Sequence, residues 1–193
     1  MGLGENVIRE GIGQLSFIPG RMEKIKLGQD FLAIVDFAHT PNALKNALEA
    51  GRRFVEGKVI AIFGSAGLRD KSKRRMMAET SAELADLTIL TAEDPRTESL
   101  DEILDEMAEG LVAKNGVEGK TFWRIPDRGE AIRFGVKSAQ PGDLVISCGK
   151  GHEQSMCFGE IEYAWDDRLA MRSALSDYLQ LPGPDMPFLP TQE

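Results

Sequence analysis

Short apolar runs alternate with amphipathic segments along most of the chain. The runs that predict buried strands are FLAIVDF (31–37), VIAIFG (59–64), LTILT (87–91), TFWRI (121–125) and DLVISC (143–148). The segments between them have helical spacing of apolar residues, at about 41–54, 73–86, 100–112 and 128–139. This alternation predicts a Rossmann-like, doubly wound α/β domain, with a mostly parallel sheet of about six strands and helices on both faces.

The two ends of the chain extend this pattern. Residues 1–18 have apolar side chains at roughly helical spacing, which predicts a helix before the α/β unit. RMEKIKL (21–27) predicts a short strand, and CFGEIEYAW (157–165) alternates as a hairpin at a sheet edge would. Residues 166–180 predict a last amphipathic helix, and the proline-rich residues 181–193 predict a loose tail.

Composition and charge narrow the class of protein. The 193 residues, 42% of them hydrophobic, suit one domain with a real core. The balance of 23 basic and 31 acidic residues gives a net charge of −8, which argues against a nucleic-acid partner. No apolar run approaches the roughly 20 residues that cross a bilayer, and no signal peptide is evident. With only two cysteines, Cys148 and Cys157, we expect reduced thiols, no metal site, no membrane partner and a cytoplasmic location.

Four loops that follow predicted strands carry the candidate functional residues. They are VDFAHTP (35–41), FGSAGLRDKSKR (63–74), TAEDPRTE (91–98) and SCGKGHE (147–153). An open α/β sheet binds its ligands at the carboxyl ends of its strands. The four loops are therefore expected to form one composite site.

The first two loops have side chains suited to a nucleotide or an anion. Asp36 can accept hydrogen bonds from ribose hydroxyls, and His39 can meet a phosphate or an acyl group. Small residues followed by Arg69 and Lys71, ahead of the helix, suit a carboxylate or phosphate. The alternatives are a turn carboxylate with an idle surface histidine, and a solvated helix face that includes Lys73.

The third loop suits an amino acid, and the fourth suits a ligand that comes close to the backbone. Glu93 offers an acceptor for an ammonium group and Arg96 a fork for a carboxylate, while Asp94 adds a second acid between them. Gly149 lets the backbone approach a ligand closely, and Glu153 ends the charged run that follows it. A rigid acidic turn and a glycine-rich turn without a ligand are the alternative interpretations.

Taken in order, PGRMEKI, VDFAHTPNAL, FGSAGLRDKSKR, TAEDPRTE and SCGKGHE resemble the C-terminal domain of the Mur ligases. The similarity runs from about residue 5 to 178 and is greatest to the members that add the third residue of the peptidoglycan stem peptide. It implies a longer protein with a UDP-binding domain, a central ATPase domain and this C-terminal domain. Residues 1–18 would be the last helix of the ATPase domain, and residues 19–180 the C-terminal domain.

The resemblance implies ATP-dependent amide ligation. ATP with Mg²⁺ would phosphorylate the D-glutamyl carboxylate of UDP-MurNAc-L-Ala-D-Glu, and the amine of a diamino acid would then attack the acyl phosphate. Both cofactors would be bound mainly by the upstream domains, because the phosphate loop and metal-binding residues are missing here. For the same reason the chain alone is expected to be inactive. Arg96 favours diaminopimelate as the diamino acid, while Asp94 leaves lysine or ornithine open.

Residue roles also follow from the resemblance. Arg21 and Asp36 match residues that reach the nucleotide, and His39 matches a histidine that faces the reaction centre, so it is the candidate catalytic residue. The candidate substrate-binding residues are Arg69, Glu93, Asp94, Arg96, Gly149 and Glu153. The usual family motif D-N-P-R is E-D-P-R here, so the first acid is one methylene longer and the second position gains a negative charge.

Three other functions stay open at this point. A related ligase, such as a folylpolyglutamate or cyanophycin synthetase, would share the fold, although E-D-P-R and G-K-G-H-E argue against it. A non-catalytic amino-acid- or nucleotide-binding module of Mur ligase descent would share the loops. An NAD-binding Rossmann protein is disfavoured because G-x-G-x-x-G does not follow the first strand.

Overall fold

The computed structural model describes residue 2, residues 4–13 and residues 18–192. Its α-helices are α1 (Glu5–Gly13), α2 (Pro41–Arg52), α3 (Ser72–Leu84), α4 (Leu100–Ala113), α5 (Arg128–Ser138) and α6 (Asp167–Leu179). Its strands are β1 (Glu23–Ile25), β2 (Leu32–Asp36), β3 (Val59–Phe63), β4 (Leu87–Leu90), β5 (Phe122–Arg124), β6 (Leu144–Cys148), β7 (Ser155–Phe158) and β8 (Ile161–Ala164). Helix α1 occupies part of the predicted helix 1–18, and residues 14–17 of that prediction lie outside the described residues.

The main sheet has six strands in the order β1-β2-β6-β3-β4-β5. Strand β1 runs antiparallel to β2, and the other neighbours are parallel. Asp36 lies opposite Cys148, and Ile62 lies opposite Ser147, so β2, β3 and β6 end at the same edge. The prediction of a doubly wound, mostly parallel sheet is confirmed, and the four candidate loops leave from one edge.

Helices cover both faces of this sheet. On one face, α5 and α6 pack through Ile132 and Met171 against Ile62 and Val145. On the other face, α2, α3 and α4 form a second cluster around Phe63. The strands between them are buried almost throughout, because each is apolar on both sides. None of the helices in the described ranges has the length and apolar character needed to span a bilayer.

Four helices begin at residues whose side chains cap them, and one of these caps is Asp166, which accepts from the Arg168 amide at the start of α6. The hydroxyl of Thr40 accepts from the Ala43 amide, and Pro41 occupies the first turn of α2. Ser99 accepts from the Glu102 amide at the start of α4. Asp127 accepts from the Glu130 amide at 2.7 Å and starts α5. These caps fix where the loops before the helices finish.

The hairpin is present, but it is not an edge of the main sheet as the sequence suggests. Strands β7 and β8 pair with each other and form a two-stranded sheet separate from the main one. The hairpin instead binds the loop after β4: the Arg96 amide donates to Cys157 O at 3.1 Å, and the Gly159 amide donates to Arg96 O at 2.7 Å. The loop after β4 is therefore the hydrogen-bonding partner of the hairpin, in place of an edge strand of the main sheet.

Part of the segment predicted as a loose tail is packed against the domain. Leu189 is fully buried in the core cluster that contains α5 and α6, and Met186 packs at its margin. The Thr191 hydroxyl donates to Asp127 Oδ2 at 2.7 Å, on the capping residue of α5. The tail therefore covers one end of the helical layer.

Candidate functional site

A cleft of about 410 Å³ opens at the carboxyl edge of the sheet. Its lining comes from all four candidate loops: Phe37, His39, Thr40, Ala66, Arg69, Asp70, Lys73, Glu93, Asp94, Arg96, Gly149 and Glu153. It includes His39 and all of the predicted substrate-binding residues. Arg21 and Asp36 lie outside this lining.

Asp36 and Arg21 do not line the cleft themselves, but both contact the loop that does. The Asp36 carboxylate accepts from the Met22 amide at 2.7 Å and from the Ala38 amide at 2.8 Å. It therefore ties the segment before β1 to the loop after β2. The Arg21 guanidinium lies 4.3 Å from the centroid of the Phe37 ring, and that ring lines the cleft. Arg21 thus stands at the rim.

His39 is oriented by a backbone carbonyl. Its Nδ1 lies 3.0 Å from Phe37 O, and its ring meets the Phe37 ring edge-on at 4.5 Å between centroids. A carbonyl oxygen only accepts, so we assign the proton to Nδ1. In the neutral ring, Nε2 is then the nitrogen that can accept a proton or a hydrogen bond from a ligand.

The loop after β3 places a different lysine in the cleft from the one that the sequence favours. Lys71 lies outside the lining, because its Nζ is 3.5 Å from a Glu98 oxygen and 3.6 Å from a Glu106 oxygen. Lys73, interpreted from the sequence as part of a solvated helix face, lines the cleft instead. The first turn of α3 thus contributes Lys73, beside the exposed Arg69 of the preceding loop.

A buried arginine, Arg74, stabilises the loop after β3. Arg74 donates to Glu98 at 2.9 Å and to Glu106 at 2.8 Å, and only 1% of its surface is exposed. Glu98 also accepts from the amide of Leu68, a residue with a φ of 55°. The Leu68 amide and the Arg74 guanidinium lower the pKa of Glu98 to about 2. These bonds fix the turn that precedes Arg69.

Glu93 is the most perturbed acid of the cleft. Its side chain is 5% exposed, and Oε2 has no hydrogen-bond partner among the described residues. Burial raises the pKa of Glu93 to about 7, although the charges of Arg128, Lys73 and Lys150 act in the opposite direction. The Gly149 backbone is so close that a β-carbon there would lie 2.4 Å from Oε2. A side chain at position 149 would force this carboxyl group to move.

Asp94 is paired within the protein. Lys150, which is 2% exposed, donates to both Asp94 oxygens at 2.9 and 3.0 Å, and the Cys157 amide donates to Oδ1 at 2.9 Å. Lys150 also lies 2.8 Å from Glu153 Oε2. Burial acts to lower the pKa of Lys150, but Glu153 and Asp94 outweigh it and raise that pKa. The extra negative charge of the E-D-P-R motif is thus compensated by a buried ammonium group.

Arg96 is held by its backbone and by one side-chain bond. Its φ is 54°, and the hairpin contacts described above hold its amide and carbonyl. One guanidinium nitrogen, Nη1, donates to Gly67 O at 3.0 Å. Because an arginine has five N–H donors, this bond orients the group and leaves others for a ligand.

The cleft therefore presents groups of both signs. Its cations are Arg69, Lys73 and Arg96, and its acids beyond the Asp94 pair are Asp70, Glu93 and Glu153. Such a lining suits a zwitterion with carboxylate and ammonium groups. In the part of the chain that the structure describes, no group of three or more His, Cys, Asp or Glu side chains is placed to hold a metal ion.

Several lining residues were not among the sequence candidates: Phe37, Thr40, Ala66, Asp70 and Lys73. All of them belong to the two loops already singled out, so the loops were identified but not every inward-facing position. Asp70 accepts from both the hydroxyl and the amide of Ser72, which lowers its pKa. Its position two residues before the first turn of α3 was a signal for such a turn.

Relatives of this chain are ligases, and the chain spans about a third of the length of those it matches. It is 40% identical over 170 residues to the UDP-N-acetylmuramoyl-L-alanyl-D-glutamate–2,6-diaminopimelate ligase of Geobacillus thermodenitrificans, covering 88% of this chain and 34% of that protein. It is 44% identical over 160 residues to the UDP-N-acetylmuramyl-tripeptide synthetase of Roseiflexus sp. (strain RS-1), covering 83% and 31%.

Solved structures and a family model agree with these relatives. A UDP-N-acetylmuramoyl-L-alanyl-D-glutamate–2,6-diaminopimelate ligase superposes with a TM-score of 0.75 at 35% identity, over 92% of this chain and 36% of that one. A bifunctional folylpolyglutamate synthase/dihydrofolate synthase with Mn, AMPPNP and L-glutamate bound gives 0.60 at 27% identity, over 77% and 32%. Residues 20–151 match the family model described as Mur ligase, glutamate ligase domain. The chain belongs to the Mur ligase family and corresponds to the C-terminal domain of its members.

Proposed function

We propose that this chain is the amino-acid-binding and nucleotide-closing domain of an ATP-dependent ligase that adds diaminopimelate to UDP-MurNAc-L-Ala-D-Glu. The observation that carries the proposal is the cleft, in which Arg69 and Arg96 share one lining with Glu93 and Glu153. That set of charges can hold the carboxylates and ammonium groups of a diamino acid. The names of the relatives supply the chemical class of both substrates.

Within the cleft, each side chain has a role that its contacts support. The free N–H donors of Arg96 bind the distal carboxylate, and Arg69, at the exposed end of its loop, binds the other. Glu153 and the Gly149 carbonyl accept from the distal ammonium group. Glu93 accepts from an ammonium group when it is ionised.

The reacting end of the site lies towards His39. Its Nε2 has no hydrogen-bond partner among the described residues and can accept a proton near the reaction centre. Arg21, stacked on Phe37 at the rim, and Asp36 are the groups of this domain nearest to a nucleotide that approaches from the upstream domains. ATP with Mg²⁺, bound mainly upstream, supplies the phosphoryl group that activates the D-glutamyl carboxylate. The contribution of this domain is proximity, with the amine held for attack.

The Asp94–Lys150 pair bears on the choice of diamino acid. From the sequence, Asp94 leaves lysine or ornithine open, because a free negative charge would repel a second carboxylate. In the structure that charge is paired with a buried ammonium group, so the objection to diaminopimelate is removed. Lysine and ornithine remain the second candidates, since Glu153 can accept from a terminal ammonium group without a second carboxylate.

The first test is an amide-resolved NMR titration of this chain with meso-diaminopimelate, L-lysine, L-ornithine and glycine. We expect the largest shifts with meso-diaminopimelate, at the amides of Arg69, Glu93, Arg96 and Glu153. Arg96→Gln should abolish the preference for meso-diaminopimelate over L-lysine. The matched control is Arg53→Gln, an exposed arginine away from the cleft lining. A preference for meso-diaminopimelate that survives Arg96→Gln would contradict the assignment.

The second test uses the full-length protein, since the chain covers about a third of its relatives. Full-length protein should release ADP from ATP when given UDP-MurNAc-L-Ala-D-Glu, Mg²⁺ and meso-diaminopimelate. We place this enzyme of peptidoglycan synthesis in the cytoplasm. The present chain under the same conditions should be inactive. ATP-dependent ligation by this chain alone, or no diamino-acid dependence in the full-length protein, would refute the proposal.

A further inference from the structure

We propose that Arg128 is a positioning residue of the cleft, whose buried guanidinium sets the spacing between the loop that carries Glu93 and the loop that carries Gly149. The expected consequence of this spacing is tighter binding of the amino acid, and that part rests on the proposed function. Its geometric content concerns only the two loops, and it can be tested without a ligand.

The contacts of Arg128 reach both loops at once. Its Nη1 donates to Ala92 O at 3.0 Å, and its Nη2 donates to Cys148 O at 2.8 Å. Ala92 is the residue before Glu93, and Cys148 is the residue before Gly149. One planar group therefore holds the last peptide units ahead of two cleft residues.

A side chain is needed here because no backbone bond can do the same. Strands β4 and β6 are not neighbours, since β3 lies between them in the sheet. Across two strand spacings, their ends are about 10 Å apart, too far for a direct backbone hydrogen bond. The side chain of Arg128 reaches from the first turn of α5 and spans the gap with fixed donor geometry.

A second set of bonds keeps this guanidinium in one position. Asp167 accepts from Nε and from Nη2, both at 2.7 Å, and each residue is fully buried. The same carboxylate accepts from Trp165 Nε1 at 2.7 Å and from the Ser147 hydroxyl at 2.8 Å. A bidentate pair with all its oxygens in use is the arrangement that compensates two buried charges. The orientation of Arg128 is thus determined before any ligand binds.

The spacing matters because Glu93 and Gly149 are in contact. A β-carbon on Gly149 would lie 2.4 Å from Glu93 Oε2, so a small shift of either loop would close or open that part of the cleft. The charge of Arg128 also acts on Glu93, together with Lys73 and Lys150, while Asp94 acts in the opposite direction. Arg128 therefore affects both the position and the ionisation of Glu93.

The test compares Arg128→Lys with Ser147→Ala and with Arg133→Lys, a matched control on the same helix whose arginine pairs with Glu130 and Asp177 at the surface. Lysine keeps the charge, but its single nitrogen cannot replace the three separate nitrogens by which Arg128 reaches Ala92, Cys148 and Asp167. We expect Arg128→Lys to shift the Glu93 and Gly149 amide resonances and to weaken meso-diaminopimelate binding about tenfold. Ser147→Ala removes two hydrogen bonds of the cluster, the one that the hydroxyl donates to Asp167 and the one that it accepts from Arg128, so it remains informative if the lysine variant does not fold.

A charge readout separates positioning from a general loss of stability. In Arg128→Gln combined with Asp167→Asn, the pair is removed without an unpaired buried charge, and the pKa of Glu93, followed by carboxyl ¹³C NMR, should rise. If loop resonances and the Glu93 pKa match those of the wild type in every variant while only stability falls, the inference is wrong. Failure of the wild-type chain to bind any diamino acid would instead count against the proposed function and leave these two readouts intact.

Discussion

Burial of Glu93 makes the stability of the domain depend on pH in an unusual direction. The pKa of Glu93 is about 7 in the folded protein, compared with 4.5 for an ordinary glutamate. Between these values the folded protein holds a proton that the unfolded chain has lost. Stability therefore falls as pH rises through this window, whereas an acid with a lowered pKa would make it rise.

The size of the effect follows from the two pKa values. The difference between 4.5 and about 7, at about 1.4 kcal/mol per unit, corresponds to about 3 kcal/mol. Glu93→Gln has nearly the same shape and no charge, so it removes this cost. The variant should match the wild type near pH 4, below the pKa of the unfolded chain, and be more stable by up to about 3 kcal/mol near pH 8.

Urea unfolding at several pH values, followed by circular dichroism and by the fluorescence of the buried Trp165, measures this difference. Taking wild type minus variant at each pH cancels the contributions of other acids. Glu56→Gln, at an exposed glutamate, is the control for the loss of one surface charge and should change the free energy of unfolding little. A Glu93→Gln difference that is equal at pH 4 and pH 8 would refute the argument from burial.

Three further predictions follow from the cleft and the tail. Gly149→Ala, at a φ of 113° and beside Glu93, should cost at least about 1 kcal/mol in urea unfolding and weaken meso-diaminopimelate binding in the NMR titration; unchanged affinity would contradict the close contact. Asp94→Asn should lower the pKa of Lys150, measured by NMR of its ammonium group, because one of two partners loses its charge. Leu189→Ala should lower the free energy of unfolding by about 2–5 kcal/mol, and a loss below about 1 kcal/mol would mean that the tail does not contribute to the core.

The elements of the fold and the location of the site could be predicted because their signals are local. An apolar run followed by a glycine-rich or charged turn predicts a strand and its loop, as FLAIVDF does before His39. The parallel arrangement then brings the loops together. The order of the strands has no such signal, and the insertion of β6 between β2 and β3 depends on contacts more than 80 residues apart in the sequence.

The residues that the sequence did not reveal depend on long-range pairing. Arg128 stands in the first turn of a helix, where an arginine is normally solvated, and its burial depends on Asp167 far along the chain. Lys150 and Asp94 are separated by 56 positions, so the neutralisation of the second acid could not be inferred. The sequence favoured Lys71 as a cleft residue, whereas Lys73 lines the cleft in the structure. Which lysine faces the cleft depends on the rotation of α3 about its axis, and a helix boundary predicted to within one or two residues does not determine that rotation.

The central place of β6 has a consequence for biosynthesis. As the chain leaves the ribosome, β1 to β5 are complete before Leu144 appears, yet β2 and β3 have no hydrogen bond to each other. Until then the nascent chain has two separate groups of strands, each with an exposed inner edge that can pair wrongly. Arrival of β6 closes both edges in one step and brings Gly149 to Glu93. We therefore expect the cleft to form together with the complete sheet, since Gly149 and Glu153 follow β6.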